Sequence, residues 1–164
     1  MGHIWLIGMM GSGKTTVGIL IGQLLNMPFV DTDVTVTITT GRTIPELFEE
    51  SEDAFRKAET LEIANAAGGE DSVIATGGGA ILANGNVALM RASGTVVLLT
   101  VDATTVIERV EIDESRPLLP TTESVERILA ERSDIYNTVA HHVVQTVGRT
   151  PEEIAVDVTS CVDM

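Results

Sequence analysis

The stretch Gly8-Met9-Met10-Gly11-Ser12-Gly13-Lys14-Thr15-Thr16 decides the fold of this chain of 164 residues. An apolar run from His3 to Ile7 precedes it and is typical of a buried strand. The segment from Val17 to Leu25 follows it and predicts a helix with an apolar face. The stretch itself matches the pattern G-x-x-x-x-G-K-[ST], in the strand, loop and helix context that this pattern requires.

The residue types of this loop suit the binding of a nucleoside triphosphate. Glycines let successive backbone N–H groups point into one anion hole at a helix N-terminus. Lys14 adds a mobile positive charge for the β- and γ-phosphates, and the Thr15 hydroxyl can ligate Mg²⁺. The alternative is a glycine-rich turn that leads into a helix and binds nothing. We expect ATP as the co-substrate, and the residues predicted to bind it here are Gly11, Ser12, Gly13, Lys14, Thr15 and Thr16.

Composition limits the class of protein and its partners. A length of 164 residues and 44% hydrophobic residues support one compact domain with a mainly aliphatic core, because aromatic residues make up only 3%. The formal net charge of −14 argues against a nucleic-acid partner, which would require clustered Lys and Arg. Without an apolar run of membrane-spanning length or a leader-like segment, we expect a cytoplasmic protein that does not contact membranes.

Strand-like and helix-like segments alternate along the whole chain, which predicts an α/β fold with a parallel sheet. We expect three α/β/α layers, five strands, and an active site at the carboxyl ends of the strands. The further predicted strands are 27–30, 72–75, 95–99 and 142–145. The further predicted helices are 34–40, 43–67, 84–92, 103–110, 122–139 and a last one from Pro151.

Two acidic residues follow the second predicted strand, at the same sheet edge as the phosphate-binding loop. One carboxylate of Asp31 and Asp33 can hold Mg²⁺ through water, and another can accept a proton from an attacking hydroxyl or orient it. The alternative for Asp33 is that it caps the next helix.

Other polar residues are each ambiguous alone. Arg56 lies three residues before Glu59 on one helix face, where a solvated helix charge is the plain alternative. The turn Gly77-Gly78-Gly79 allows a ligand to approach the backbone closely, or is merely flexible. Arg116 lies in a proline-containing segment that is a candidate mobile loop, and Arg132 and Tyr136 form a pair of residues that would otherwise be placed on the surface.

Taken together, these segments resemble the shikimate kinases, over nearly the whole chain from Gly8 to about Pro151. The resemblance implies a P-loop fold of the nucleoside monophosphate kinase type, in one domain over 1–164. It implies a substrate-binding helical region at about 32–60 and a lid at about 110–121. The segments that carry it are GMMGSGKTTVG at 8–18, DTD at 31–33, FRKAE at 55–59, TGGGA at 76–80, RPLL at 116–119, and Arg132 with Tyr136.

The resemblance implies transfer of the ATP γ-phosphate to the 3-hydroxyl of shikimate. By the resemblance, Lys14, Asp33 and Arg116 are catalytic, with Arg116 as a lid cation that also contacts the nucleotide. Thr15 and, through water, Asp31 would hold Mg²⁺. The implied shikimate-binding residues are Asp33, Arg56, Gly77, Gly78, Gly79 and Arg132, and the implied residues beside the nucleotide are Arg109, Arg149 and Pro151.

The chain departs from the family pattern at three places. Ser51-Glu52 replaces a Gly-Glu pair, Thr37 replaces an acidic residue, and the segment Glu111 to Ser115 of the lid is acidic and lacks glycine. Two rival functions stay open at the level of sequence. One is a kinase for another small hydroxy acid or cyclitol, such as gluconate, and the other is a non-catalytic ATP-binding module. The resemblance also implies a monomer.

Overall fold

A computed structural model describes residues 2–111 and 121–162. Within these residues, five strands form one parallel sheet in the order β2-β3-β1-β4-β5. The strands are β1 (His3–Ile7), β2 (Phe29–Asp31), β3 (Val73–Ala75), β4 (Gly94–Thr100) and β5 (His142–Gln145). The helices are α1 (Lys14–Leu25), α2 (Thr32–Thr40), α3 (Ile44–Glu50), α4 (Glu52–Ala67), α5 (Asn84–Ser93), α6 (Ala103–Glu111), α7 (Thr122–Val139) and α8 (Pro151–Val162), with a 3₁₀ turn at Ala80–Leu82.

Helices cover both faces of the sheet, which confirms the predicted three-layer α/β/α architecture. Side chains alternate between faces along each strand, so β1 sends Ile4 and Leu6 to one core and Trp5 and Ile7 to the other. The first core is closed by α1 and α8. The second is closed by α4, α5 and α7. No helix in the described ranges is both long and apolar enough to cross a membrane.

The second strand begins later than the sequence indicated. β2 spans Phe29–Asp31 instead of 27–30, because the chain is still turning out of α1 at this point. Asn26 adopts the left-handed conformation, with φ 54°, and the Met27 N–H donates to the Gly22 carbonyl. Since β2 ends at Asp31, the acidic segment that follows it lies at the carboxyl edge of the sheet.

The expected single helix over 43–67 is wrong. It is two helices, α3 and α4, because Ser51 is extended, with φ −173° and ψ 155°, and breaks the helical path. The Ser51 N–H donates to the Leu47 carbonyl at the end of α3. The Ser51 hydroxyl accepts from the Ala54 N–H at 3.0 Å and so caps the start of α4. A separate small core of Val36, Leu47 and Phe55 holds α2, α3 and α4 together.

This cap gives a prediction for stability. We expect Ser51→Ala to lower the free energy of unfolding by about 1 kcal/mol, because the N-terminal N–H groups of α4 lose their acceptor. Ser51→Gly should cost only a few tenths of a kcal/mol. Urea unfolding measures both, with Ser160→Ala at an exposed position of α8 as the control. Equal stability of the wild type and Ser51→Ala would contradict the assignment of the cap.

Candidate active site

A cleft of about 700 Å³ opens where β1, β2 and β3 end. The loop after β1, the acidic segment after β2 and the glycine turn after β3 all contribute to it, as expected for the carboxyl edge of a parallel sheet. The cleft is lined by Met9, Met10, Gly11, Gly13, Lys14, Thr15, Thr16, Asp31, Asp33, Ile44, Phe48, Phe55, Arg56, Glu59, Ala75, Thr76, Gly77, Gly78, Gly79, Arg109, Ile128 and Arg132.

The loop between β1 and α1 forms one end of the cleft. Lys14 folds back over the loop, and its Nζ donates to the carbonyls of Gly8 at 2.8 Å and Met9 at 2.9 Å. Gly13 precedes α1 in the left-handed conformation, with φ 94°, which a residue with a side chain rarely adopts. It provides no side-chain cap, so the first N–H groups of α1 face the cleft, where the helix dipole favours an anion.

Thr15 and Asp31 lie together beside this loop. The Thr15 hydroxyl donates to Asp31 Oδ2 at 2.8 Å, across the gap between α1 and the end of β2. One hydroxyl and one carboxylate are a donor set that suits Mg²⁺, which keeps most of its waters and takes its other ligands from phosphates. Among the described residues no cluster of three or more His, Cys, Asp or Glu could hold a metal by itself. The residues therefore fit a metal that arrives with a nucleotide.

Asp31, and not Asp33, caps the helix after β2. Asp31 Oδ1 accepts from the Asp33 N–H at 3.0 Å, so the interpretation of Asp33 as the cap is wrong. Asp33 lies one residue into α2 and its carboxylate lies against Gly77, where an added Cβ would be 3.0 Å from Asp33 Oδ1. Asp33 therefore does not cap α2, and it lines the cleft.

The charged side chains of Arg56 and Glu59 pack against the turn Gly77-Gly78-Gly79. A Cβ at Gly77 would lie 2.6 Å from Glu59 Oε1, and a Cβ at Gly79 would lie 2.4 Å from Arg56 Nη2. These glycines are therefore required for close approach, and not as flexible hinges. The close packing argues against the flexible-turn alternative, while contact of the turn with a ligand stays a prediction.

Arg56 and Glu59 form a partly buried ion pair on one face of α4. Arg56 Nη1 donates to Glu59 Oε2 at 2.8 Å, and the Glu59 side chain is only 1% exposed. Arg56 keeps 26% of its side chain exposed, toward the cleft. Burial raises the pKa of Glu59; the Arg56 charge opposes this and the Asp33 charge adds to it. Glu59 thus fixes Arg56 while the guanidinium still faces a ligand.

The raised pKa of Glu59 gives a pH-dependent prediction. In the folded protein the pKa of Glu59 lies above its ordinary value of 4.5, so the folded state binds this proton more tightly than the unfolded state does. The resulting contribution to the free energy of unfolding is fully present below pH 4.5 and is lost as the pH rises through the raised pKa. Glu59→Gln cannot titrate. We therefore expect the free energy of unfolding of the wild type, relative to that of Glu59→Gln, to fall as the pH rises above 4.5. Urea unfolding between about pH 4.5 and 8 measures this difference, and a difference that rises with pH would contradict the raised pKa.

Helix α7 closes the cleft from the opposite side. Arg132 Nη1 donates to the Gly78 carbonyl at 3.2 Å, and the Tyr136 hydroxyl donates to the same oxygen at 2.5 Å. Arg132 lines the cleft, whereas Tyr136 is 3% exposed and packs into the core beneath it. The two residues are therefore part of the site and not a surface pair.

The remaining predicted nucleotide-side residues divide into four groups. Arg109 lines the cleft, and its Nη1 donates to the Gly11 carbonyl at 2.7 Å. Ser12 is buried in the phosphate-binding loop. Arg149 lies apart from the lining residues, with its Nη2 2.7 Å from Asp157 Oδ2, and Pro151 begins α8 outside the lining as well. Arg116 and residues 112–120 of the expected lid lie outside the described residues.

The cleft concentrates positive charge in an acidic chain. In the described part of the chain, Lys14, Arg56, Arg109 and Arg132 line it, whereas the whole sequence has only 10 Lys and Arg against 24 Asp and Glu. Lys14 and Arg109 lie at the phosphate-binding end. Arg56 and Arg132 lie at the end with Asp33 and the glycine turn, where two guanidinium groups suit a planar carboxylate.

Comparison with known proteins places this site in a family. The sequence profile described as shikimate kinase matches residues 10–163. The chain belongs to the shikimate kinase family. A shikimate kinase of Nitrosospira multiformis is 38% identical over 158 residues, covering 94% of this chain and 81% of the relative. Shikimate kinase 2 of an Enterobacter species is 42% identical over 158 residues, covering 92% of this chain and 90% of the relative.

Solved structures agree with the family assignment. A shikimate kinase from Acinetobacter baumannii in complex with shikimate superposes with a TM-score of 0.93 at 34% identity, covering 99% of this chain and 93% of that one. A gluconokinase from Sinorhizobium meliloti superposes with a TM-score of 0.67 at 17% identity, which shows a shared fold alone.

The departures from the shikimate kinase pattern have local explanations where they are described. Ser51, where the resemblance implied a glycine, caps α4 through its hydroxyl. The Thr37 hydroxyl donates to the Asp33 carbonyl one turn earlier in α2. The acidic lid falls mainly within 112–120, outside the described residues.

Two residues of the site had no role assigned from the sequence. Glu59 was noted only as a neighbour of Arg56 on one helix face, and Tyr136 only as a partner of Arg132. The three-residue spacing of Arg56 and Glu59 was a usable signal, because it places both on one face of a helix. The bond from Tyr136 to Gly78 spans 58 residues and left no signal in the sequence.

Proposed function

We propose that this chain is an ATP-dependent shikimate kinase, which transfers the γ-phosphate of ATP to the 3-hydroxyl of shikimate. The observation that carries the proposal is the division of one cleft into two ends. A phosphate-binding loop with Lys14 forms one, and Asp33 with the guanidinium groups of Arg56 and Arg132 forms the other. Relatives named shikimate kinase, and a solved relative in complex with shikimate, support this acceptor.

At the donor end, the N-terminus of α1 and Lys14 would bind the β- and γ-phosphates. Lys14 would exchange its bonds to the Gly8 and Met9 carbonyls for phosphate oxygens, which bind an ammonium group more strongly because they are charged. Thr15 and, through water, Asp31 would hold Mg²⁺, and the metal supplies neutralisation of the phosphate charge. Arg109, and more distantly Arg149 and Pro151, would lie on the nucleotide side.

At the acceptor end, Arg56 and Arg132 would bind the carboxylate of shikimate, and the glycine turn would contact its ring hydroxyls. Asp33 would orient the attacking hydroxyl and accept its proton as the new O–P bond forms. Arg116 would supply a further positive charge from the lid. Because phosphoryl transfer requires mainly positioning and charge stabilisation, these groups are sufficient for the reaction.

We also propose that two segments of the chain have separate functions, substrate binding and closure of the site. Residues 32–60, which have their own small core of Val36, Leu47 and Phe55, would form a substrate-binding region. Residues at about 110–121 would form a lid. The chain would act as a cytoplasmic monomer with a small-molecule substrate. Light scattering at the concentration of the assay tests the oligomeric state.

The proposed activity is tested by ADP release with a panel of acceptors. With shikimate as the acceptor, ADP and phosphorylated shikimate should form in equal amounts. With quinate or gluconate, kcat/KM should be at least about tenfold lower than with shikimate. ADP release with gluconate or a cyclitol and none with shikimate would replace the acceptor. ATP binding by calorimetry without transfer to any acceptor would favour a binding module in place of an enzyme.

A further inference from the structure

Tyr136 connects the core of the protein to the acceptor end of the cleft. Its ring belongs to the apolar cluster between the sheet and α7, and 3% of the residue is exposed. Its hydroxyl leaves this cluster and donates to the Gly78 carbonyl at 2.5 Å. A rigid aromatic ring therefore holds one backbone oxygen of the glycine turn at a fixed position.

The Gly78 carbonyl also positions Arg132 by accepting a hydrogen bond from it. Arg132 Nη1 donates to this oxygen at 3.2 Å, so one carbonyl accepts from both residues of α7. A carbonyl oxygen has two lone pairs and can accept two such bonds. The remaining N–H groups of the planar guanidinium are then held in one orientation, because its five donors have a fixed geometry.

Gly78 further contacts the phosphate-binding loop. A Cβ at Gly78 would lie 3.5 Å from the Gly8 carbonyl oxygen, 3.6 Å from the Met10 nitrogen and 3.6 Å from the Tyr136 hydroxyl. Gly78 is therefore packed between the loop and α7. A displacement of its carbonyl would move the hydrogen-bond acceptor of Arg132 relative to the phosphate-binding loop.

We infer that Tyr136 is a positioning residue for the acceptor: its hydroxyl fixes the Gly78 carbonyl, and that carbonyl orients Arg132. This inference rests on the proposed function, in which Arg132 binds the acceptor carboxylate. Tyr136 does not line the cleft, so its effect passes through Arg132, by way of the Gly78 carbonyl and of a hydrogen bond from Arg132 to the Tyr136 hydroxyl.

The protonation state of Tyr136 suits this role. Burial raises the pKa of the Tyr136 hydroxyl above its ordinary value; the charge of Arg132, a hydrogen bond from Arg132 to the hydroxyl and the charge of Arg56 oppose this less strongly. The hydroxyl therefore stays protonated at neutral pH and remains a donor. The carbonyl of Gly78 can only accept, so the direction of the bond is fixed.

Tyr136→Phe tests the inference because it removes the hydroxyl and keeps the ring in the core. We expect KM for shikimate to rise roughly 5- to 30-fold, the range for loss of one hydrogen bond that orients a charged group. KM for ATP should change less than about 2-fold. Ser72→Ala is the matched control, because it also removes a hydroxyl bound to a backbone carbonyl, the Glu70 carbonyl at 2.6 Å, but at the opposite edge of the sheet.

A double-mutant cycle with Arg132→Ala separates orientation of Arg132 from general stability. If Tyr136 acts through Arg132, adding Tyr136→Phe to Arg132→Ala should change kcat/KM for shikimate less than 2-fold. An unchanged KM for shikimate in Tyr136→Phe would overturn the inference. So would additive losses in the cycle, or equal losses for ATP and shikimate. Failure of the wild type to phosphorylate shikimate is a separate outcome, which would overturn the proposed function instead.

Discussion

Asp33→Asn is expected to lower kcat for shikimate phosphorylation by about 10²- to 10⁴-fold, the range for loss of a positioned general base. Asparagine has nearly the same volume and keeps an acceptor oxygen beside Gly77, but it cannot take the proton of the attacking hydroxyl. The start of α2 should be unaffected, because the Asp33 backbone N–H and the side chain of Asp31 make the cap. KM for ATP should therefore stay within a few fold.

Steady-state ADP release, with shikimate and ATP varied separately, measures this effect. Asp134→Asn is the matched control, because Asp134 is an exposed aspartate on α7 away from the cleft lining, and it should retain full activity. Thermal unfolding of both variants checks that the fold is kept. If Asp33→Asn kept more than about a tenth of the wild-type kcat, Asp33 would at most bind the acceptor and would not act on its proton.

Gly79→Ala is expected to raise KM for shikimate by about 10- to 100-fold, while the protein stays folded. The backbone of Gly79 has φ −97°, which alanine adopts without strain, so the effect comes from the added methyl group alone. That methyl would lie 2.4 Å from Arg56 Nη2 and 2.5 Å from Arg56 Nη1. The guanidinium has to move, and its charged hydrogen bonds to a carboxylate are worth about 1.5–3 kcal/mol.

The same kinetic assay tests Gly79→Ala, with Gly85→Ala in α5 as its control. Gly85 has no heavy atom within 4 Å of an added Cβ, so the control should keep the wild-type KM and gain a little stability from its helical position. Calorimetric titration with shikimate gives the same comparison without turnover. A wild-type KM in Gly79→Ala would show that Arg56 tolerates displacement and is not a close ligand of the acceptor.

Most of the fold could be predicted because it depends on local patterns. The loop from Gly8 to Thr16 and the alternation of strand and helix determine a parallel sheet with its site at the carboxyl edge. The break at Ser51 was missed because serine is tolerated inside helices, and its capping bond to Ala54 becomes visible only in the structure. The late start of β2 depends on the turn at Asn26, which periodicity does not report.

The site could be predicted as a set of residue types but not as an arrangement. Sequence motifs indicated Lys14 and Asp33, since phosphate and proton chemistry require these types, whereas the role of Arg56 followed only from the resemblance to shikimate kinases. The motifs could not indicate that Gly77 and Gly79 support different side chains, or that Tyr136 holds Gly78. Those contacts join segments that lie far apart in the chain, and they follow from packing of α4 and α7 against one turn.

The central claim is most directly tested by the ³¹P NMR spectrum of the wild-type protein incubated with equimolar ATP and shikimate in the presence of Mg²⁺. The account predicts loss of the γ-phosphate resonance, appearance of ADP, and one new phosphomonoester resonance from shikimate 3-phosphate. Asp33→Asn, incubated in parallel, should leave ATP largely intact over the same time. A folded wild-type protein that leaves shikimate unmodified, while it phosphorylates another hydroxy acid or none, would contradict the account.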